Sequence, residues 1–252
     1  MVNELHGRLV ILSGPSCVGK SPLAKALSKF HPAWSQRLQR LVLFNSRDPR
    51  PGEIDGIDYH FRNRSQIESF RPDDRYVLLD VRGDLQALDL DDLHAVLRRG
   101  DAFFEGNPFV GVALLTHPRM KDVQRLAVFL SPLSKEEITD LKAPERNLSL
   151  EDLVTDIMRR KLLRRTRRQK GELSARDLDN IERRAGSAYV ELQEAWRFDC
   201  VIPNHDGEDS ENWDAFYYPL GDARKSLKAF VALLNGEVPA DVEKWHDDLL
   251  PQ

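Results

Sequence analysis

The chain of 252 residues carries 37 Lys and Arg against 41 Asp and Glu, a formal net charge of −4. This small negative balance gives no overall attraction to nucleic acid or to an acidic membrane surface. The two cysteines, Cys17 and Cys200, lie far apart in the sequence, so neither a disulfide framework nor a zinc site is expected and a reducing cytoplasm is predicted. No apolar stretch approaches membrane-spanning length, and the N-terminus lacks the pattern of a signal peptide.

A glycine-rich segment near the N-terminus is the most informative motif. Residues 14–21 read Gly-Pro-Ser-Cys-Val-Gly-Lys-Ser, and they follow the apolar run 9–13 and precede an apolar periodic segment that begins at Leu23. Strand, loop and helix in this order are the context of a phosphate-binding loop. Its backbone N–H groups and the helix N-terminus form an anion site. Lys20 is therefore predicted to reach the terminal phosphates of a nucleoside triphosphate, and Ser21 to coordinate Mg²⁺.

Strand and helix patterns alternate along the rest of the chain. Short apolar strands are predicted at residues 41–44, 76–80, 102–105, 125–130 and 200–202. Helices are predicted at residues 66–70, 91–99, 108–115, 149–168, 175–197 and near 227–234, and one more begins with a capping box at Ser134 and Glu137. This alternation predicts an α/β fold, a parallel sheet flanked by helices around the phosphate-binding loop. The tail 238–252 contains Trp245, and the sequence leaves open whether this tail docks back on the domain.

A second cluster of phosphate-binding side chains is predicted in residues 46–61. Arg47 and Arg50 lie close together there, prolines flank Arg50, and Tyr59 adds a neutral donor. Guanidinium groups match phosphate oxygens in forked geometry. This segment is either a second phosphate site or a solvated surface loop.

The chain resembles the guanylate kinase family. The phosphate loop is similar to that family's, with Cys17 where glycine is usual, and residues 47–61 are similar to the family signature almost residue for residue. Weaker similarity between about residues 8 and 206 is found at 129–134, 181–184, 188, 191 and 198–204.

The resemblance implies a P-loop NTPase fold with an acceptor-binding insertion and a helical lid, in a single domain over residues 1–252. Its predicted parts are a core (1–36, 101–140 and 186–235), an acceptor-binding region (37–100), a lid with an insertion (141–185) and a tail (236–252). The implied activity is transfer of the terminal phosphoryl group of ATP to a nucleoside monophosphate, with ATP and Mg²⁺ as cofactors.

The resemblance also implies roles for individual residues. The predicted donor-binding residues are Gly14, Ser16, Val18, Gly19, Lys20, Ser21 and Asn204. The predicted acceptor-binding residues are Arg47, Arg50, Tyr59, Asp80 and Glu105. The predicted catalytic residues are Lys20, Arg47, Arg184 and Arg168. Phosphoryl transfer depends mainly on positioning and positive charge, which these residue types supply.

The residues that read guanine in the family are largely missing here. Leu43 stands where a small hydroxyl residue is usual, the glutamate position falls near Leu78, and Glu105 takes the place of an aspartate. Since a site built to hydrogen-bond a base discriminates through those groups, we expect that GMP is not the preferred acceptor and that another nucleotide or a different phosphorylated small molecule is. Four side chains either recognise this acceptor or form a solvated turn: Asp80, Arg82, Asp84 and Gln86.

A basic run at residues 159–170 follows an insertion at about 141–160. Three interpretations of this run stay open. It is part of an enlarged lid in which Arg167 or Arg168 reaches the phosphates, it contacts nucleic acid, or it is the solvated face of a helix. Cys17 is either a reactive thiol or a small residue in place of glycine. The alternative to an enzyme is a binding module that has lost catalysis, which the retained phosphate loop disfavours. The oligomeric state stays open.

Overall fold

The computed structural model describes residues 6–50 and 52–250. Pro51, one of the two prolines that flank Arg50, lies outside the described residues. Residues 1–5 of the predicted core and residues 251–252 of the predicted tail lie outside them as well. The strands are β1 (Leu9–Ser13), β2 (Leu38–Arg40), β3 (Phe44–Asn45), β4 (His60–Phe61), β5 (Tyr76–Val81), β6 (Asp84–Asp89), β7 (Asp101–Gly106), β8 (Arg125–Ser131) and β9 (Cys200–Pro203). The helices are α1 (Lys20–Phe30), α2 (Pro32–Arg37), α3 (Arg64–Glu68), α4 (Leu90–Leu97), α5 (Pro108–Thr116), α6 (Lys135–Leu141), α7 (Leu150–Lys170), α8 (Ala175–Gly186), α9 (Ala188–Leu192) and α10 (Gly221–Leu234).

The core is a five-stranded parallel sheet in the order β2-β7-β1-β8-β9. Every residue of β1 is buried, as expected for a central parallel strand covered on both faces. Ser13 pairs with Gly106 on one side and with Phe129 on the other. The carboxyl ends of three strands therefore meet at one edge of the sheet, where the phosphate loop begins. The predicted α/β fold is confirmed.

A second, four-stranded sheet with the order β4-β3-β6-β5 lies in the predicted acceptor-binding region. Strand β6 was not predicted from sequence, and Asp84 and Gln86, which lie in it, were interpreted as either acceptor-reading side chains or part of a solvated turn. The structure shows a hairpin in which β5 and β6 are joined by Arg82 and Gly83, with φ of 58° and 88°. Two consecutive positive φ values fit the right-handed strand twist, but Arg-Gly lacks the Asn-Gly or Asp-Gly signal that usually marks such a turn.

Two predicted elements are divided in the structure. The strand predicted at 41–44 is wrong in its bounds: β2 ends at Arg40 and β3 begins at Phe44, because the buried segment between them carries the chain from one sheet to the other. The helix predicted at 175–197 breaks at Ser187, whose hydroxyl group hydrogen-bonds the Arg184 carbonyl oxygen and the Glu191 carboxylate. Such side-chain bonds compete with the helical backbone, and the preceding glycine lowers helix propensity.

The tail docks back on the core. Val201 of β9 and Glu243 exchange backbone hydrogen bonds of 2.8 Å in each direction. Trp245 is 2% exposed, and the Lys142 ammonium group donates to the Leu249 carbonyl oxygen at 2.8 Å. The tail therefore covers the β9 edge of the sheet. Over residues 6–50 and 52–250, no helix combines the length and the apolar character needed to cross a membrane.

Candidate active site

The phosphate loop is buried and conformationally constrained. All residues from Gly14 to Lys20 are buried, and φ is 143° at Gly14 and 113° at Gly19. A Cβ atom at Gly19 would lie 2.5 Å from the Asn204 side-chain nitrogen, and one at Gly14 would lie 2.3 Å from the Leu130 carbonyl oxygen. Both glycines are required by backbone conformation and by close packing.

Lys20 and Ser21 lie at the start of α1 with polar partners. The Lys20 ammonium group donates to the carbonyl oxygens of Gly14 (2.7 Å) and Pro15 (2.8 Å). Burial lowers the pKa of Lys20, and the charges of Glu208 and Glu105 oppose that shift. The ammonium group is thus held at the loop by backbone oxygens and nearby carboxylates.

Glu105 contacts the donor side of the site. It was predicted on the acceptor side, but the Ser21 hydroxyl group donates to its carboxylate at 2.6 Å. A hydroxyl and a carboxylate oxygen at the carboxyl end of β7 are ligands that suit Mg²⁺. These two residues could hold the metal ion, with phosphate and water oxygens completing its coordination.

Four guanidinium groups converge beside the phosphate loop, and we call Arg50, Arg82, Arg165 and Arg184 the arginine cluster. The pKa of Arg184 lies well below its usual range because of burial and then because of the like charges of the other three. The Arg184 Nε donates to the Ser16 hydroxyl group at 3.1 Å, which joins the cluster to the phosphate loop. Arg165 was not predicted: Arg168 was selected from the many arginines of the basic run, because sequence alone does not show which of them meets the phosphate loop.

The acids near the cluster neutralise only part of it. Arg82 is paired with the fully buried carboxylate of Glu191, and Arg165 donates to Glu208 at 2.7 Å. In the part of the chain that the structure describes, the side chains of Arg50 and Arg184 make no hydrogen bond to a carboxylate. The cluster therefore carries uncompensated positive charge, which favours a bound polyanion.

The two arginines in residues 46–61, which we call the acceptor loop, have different roles. Arg47 makes a two-pronged ion pair with Glu53, with distances of 2.6 and 2.7 Å, and its guanidinium lies 5.1 Å from the centre of the Tyr59 ring. Burial opposes the charge of Arg47, but the bonds to Glu53 outweigh it and raise its pKa. The Arg50 backbone N–H also donates to Glu53, at 2.7 Å. Glu53 thus fixes the loop, whereas the charge of the Arg50 side chain acts on Arg184.

Two predicted site residues point elsewhere. Asp80 accepts from Arg64 of α3 at 2.9 Å and from the Gly83 N–H at 2.8 Å, so it caps the hairpin on the face of the acceptor sheet that α3 covers. Arg168 is 48% exposed and lies 3.4 Å from the exposed Glu211. Arg165, one helical turn earlier, is the residue of the basic run that joins the arginine cluster.

The opposite face of the acceptor sheet is mostly apolar. Strand alternation and pairing place Leu79 and Val81 of β5 on this face, opposite Gln86 and Asp84 of β6. Leu43 is 5% exposed and packs in the main core. Leu78 packs instead with Ile67 on the α3 face of the sheet. Leu43 and Leu78, which stand at or near the positions of the family's hydroxyl residue and glutamate, therefore offer no hydrogen bond to a base.

The segment at 204–214, which we call the donor loop, packs directly on the phosphate loop. The Asn204 side-chain amide donates to the Val18 carbonyl oxygen at 2.7 Å, and the Glu208 N–H donates to the Cys17 carbonyl oxygen at 3.1 Å. Trp213 Nε1 donates to the Asp206 carbonyl oxygen at 2.9 Å. Asn204 thus lies beside the phosphate loop and joins the donor loop to it, and its contact with the donor nucleotide stays a prediction.

Most of the basic run is neutralised within the chain. Acidic partners are bound by Arg159, Arg160, Arg164, Arg165, Arg168 and Lys170. These ion pairs favour a structural role for α7 over a nucleic-acid surface. Cys17 is fully buried, and burial, followed by the charge of Glu208, raises its pKa to about 12. The thiol is therefore protonated at neutral pH and is not an activated nucleophile.

Comparison with known proteins gives a consistent result. The sequence model described as Guanylate kinase matches residues 6–82. A guanylate kinase of Synechococcus sp. (strain JA-3-3Ab) is 30% identical over 217 residues, covering 85% of this chain and 83% of that protein. A guanylate kinase of Corynebacterium jeikeium (strain K411) is 33% identical over 206 residues, covering 79% and 89% respectively.

A solved structure agrees at the level of the fold. The crystal structure of guanylate kinase from Anaplasma phagocytophilum superposes with a TM-score of 0.55 at 16% identity, covering 92% of this chain and 87% of that one. The fold, the phosphate loop and the sequence relatives lead to one conclusion: the chain belongs to the guanylate kinase family.

Proposed function

We propose that the protein is an ATP- and Mg²⁺-dependent phosphotransferase that moves the terminal phosphoryl group of ATP to a nucleoside monophosphate or a similar phosphorylated acceptor. The observation that carries this proposal is the arginine cluster: the charge of Arg50 acts on Arg184, and Arg184 hydrogen-bonds Ser16 of the phosphate loop. Cations shared between two phosphate sites stabilise the charge of the transferring group.

Each residue then has a role in the transfer. Gly14, Ser16, Val18, Gly19 and Lys20 hold the donor phosphates, and Asn204 fixes the donor loop beside them. Ser21 and Glu105 bind the metal ion, whose chemistry is to neutralise the phosphates and orient them. In the acceptor site, Arg47 and Tyr59 fix the loop, and Arg50 binds the acceptor phosphate. Arg184 and Arg165 reach the transferring group.

The test is a titration of MgATP followed by a screen of nucleoside monophosphates and sugar phosphates for ADP release. Lys20→Ala should lower turnover by at least about 100-fold, because it removes a cation from the developing charge. Lys25→Ala is the matched control, since Lys25 is an exposed residue of the same helix. Retained turnover in Lys20→Ala would refute the role of Lys20. Absence of MgATP binding to the unchanged protein would favour a binding module instead.

The apolar base-facing surface supports a second, finer proposal: GMP is not the preferred acceptor. Leu43 and Leu79 offer no hydrogen bond to a base, and a site without such groups loses most of its discrimination for guanine. In the same screen, kcat/KM for GMP should fall at least about 100-fold below that of the best acceptor. A ranking with GMP first would overturn this finer proposal and leave phosphoryl transfer intact.

The two cysteines are free and buried, which fits the reducing cytoplasm expected from the sequence. The division into core, acceptor-binding region, lid and tail stays a prediction.

A further inference from the structure

Helix α7 is tied to the donor loop by three side chains on one face. Arg165 donates to Glu208 and Arg164 donates to Asp209, each at 2.7 Å. The Lys161 ammonium group donates to the His205 carbonyl oxygen, and this side chain is 7% exposed. Positions 161, 164 and 165 are spaced three and four apart, so they share a face of the helix. That face holds the donor loop against the phosphate loop.

Glu208 contacts both helix α7 and the phosphate loop. Its backbone N–H binds the Cys17 carbonyl oxygen, and its side chain is 16% exposed. Burial would raise the pKa of Glu208, but the charges of Arg165 and Lys20 outweigh it and lower the pKa, with a smaller contribution from Arg184. An ionised carboxylate therefore lies among three of the cations assigned above to the phosphates.

We propose that Glu208 is an internal anion of the phosphate site, which the donor's phosphates displace when they bind. The inference depends on the proposed function, because it assumes that the donor phosphates use Lys20, Arg165 and Arg184. A carboxylate and a phosphate that use the same guanidinium group compete for it. Donor affinity is therefore lower than the arginine cluster alone would give, by the free energy needed to release Glu208 from Arg165.

Asp209 provides an internal contrast. It lies next to Glu208, its side chain is 6% exposed, and its partner Arg164 is 61% exposed. The charge of Asp209 acts on Lys161 and, more weakly than that of Glu208, on Arg165 and Cys17, whereas Glu208 also acts on Lys20 and Arg184. Asp209 is paired with Arg164 outside the arginine cluster, so it competes less for the phosphate site than Glu208 does. Removal of the Glu208 charge should raise donor affinity, whereas removal of the Asp209 charge should leave donor affinity unchanged or lower it.

The experiment measures the affinities of MgATP and of inorganic tripolyphosphate by calorimetry for the unchanged protein, Glu208→Gln and Asp209→Asn. Glu208→Gln should bind both ligands about tenfold more tightly, within the usual range of coupling between two ligands. Asp209→Asn should bind MgATP equally or more weakly. Thermal melting checks that each variant is folded. If Glu208→Gln does not fold, Glu208→Asp replaces it, because aspartate withdraws the charge by one methylene. Glu208→Asp should bind both ligands about threefold more tightly than the unchanged protein.

The outcomes separate the two proposals. A folded Glu208 variant with unchanged or weaker affinity, or both variants changing in the same direction, would overturn the internal-anion inference alone. An unchanged protein that binds neither MgATP nor tripolyphosphate would overturn the proposed function and this inference with it. The effect on tripolyphosphate distinguishes competition at the phosphates from a rearranged nucleoside contact.

Discussion

The phosphate end and the base end of the acceptor region differ in their chemistry. At the phosphate end, Arg50 belongs to the arginine cluster and Arg47 is fixed by Glu53. At the base end, Leu79 presents an apolar side chain, and Leu43 is buried in the main core. On the proposed function, phosphate binding and acceptor choice depend on separate parts of the same small sheet and loop.

The largest effect on acceptor binding is expected at the phosphate end. Arg50→Ala should raise the KM of the preferred acceptor about 10- to 100-fold, because a charge-assisted bond to phosphate is lost. The KM for ATP should change little. Steady-state kinetics measure both constants, and Arg62→Ala is the control, since Arg62 belongs to the same segment but pairs with Asp55. An equal loss in both variants would contradict the assignment of Arg50.

A smaller effect is expected at the base end. Gln86 is half-buried on the cleft face of β6, and its carboxamide has no hydrogen-bond partner in the ranges 6–50 and 52–250. Gln86→Leu should lower kcat/KM for the preferred acceptor about tenfold, as the loss of one or two hydrogen bonds implies, and leave ATP binding unchanged. Gln66→Leu on α3 is a control outside the cleft. Unchanged acceptor kinetics would show that Gln86 belongs to a solvated turn.

The smallest effect is expected outside both ends, at His205 of the donor loop. Burial lowers the pKa of His205, but hydrogen bonds to Asp222 and Glu137 outweigh it and raise the pKa above its usual value. The resulting stabilisation is complete below the unfolded pKa of about 6.5 and is lost as pH rises through the higher folded pKa. The ring is 48% exposed, so the contribution is below about 1 kcal/mol after solvent screening.

Urea unfolding of His205→Asn tests this prediction across pH. The difference in unfolding free energy from the unchanged protein should be larger at pH 6 than at pH 9. A difference that stays constant or grows with pH would mean that protonated His205 does not bridge α6 and α10.

The strand, loop and helix of the phosphate loop could be predicted from sequence because local backbone geometry determines them. Gly14, Gly19 and Lys20 form a local motif, and their neighbours in sequence are their neighbours in space. The acceptor and lid residues depend on long-range packing. Asp80 was expected in the acceptor site because its hairpin partner strand was not recognised, and Arg168 was chosen over Arg165 because sequence does not fix which face of α7 meets the donor loop.

Glu105 is another residue whose contacts could not be predicted from the sequence. The resemblance aligned it with a base-reading acid, but the register of β1 and β7 brings it to Ser21. Strand neighbours in a parallel sheet come from distant segments, so this contact could be found only from the folded chain.

Adenosine 5′-pentaphosphate tests whether two phosphate sites share the arginine cluster, and its use needs no knowledge of the acceptor's base. Its chain carries two phosphates beyond the terminal phosphate of ATP. Calorimetry should show at least tenfold tighter binding of adenosine 5′-pentaphosphate than of ATP by the unchanged protein, and Arg50→Ala should remove that advantage. Equal affinities for the two ligands in the unchanged protein would contradict the account.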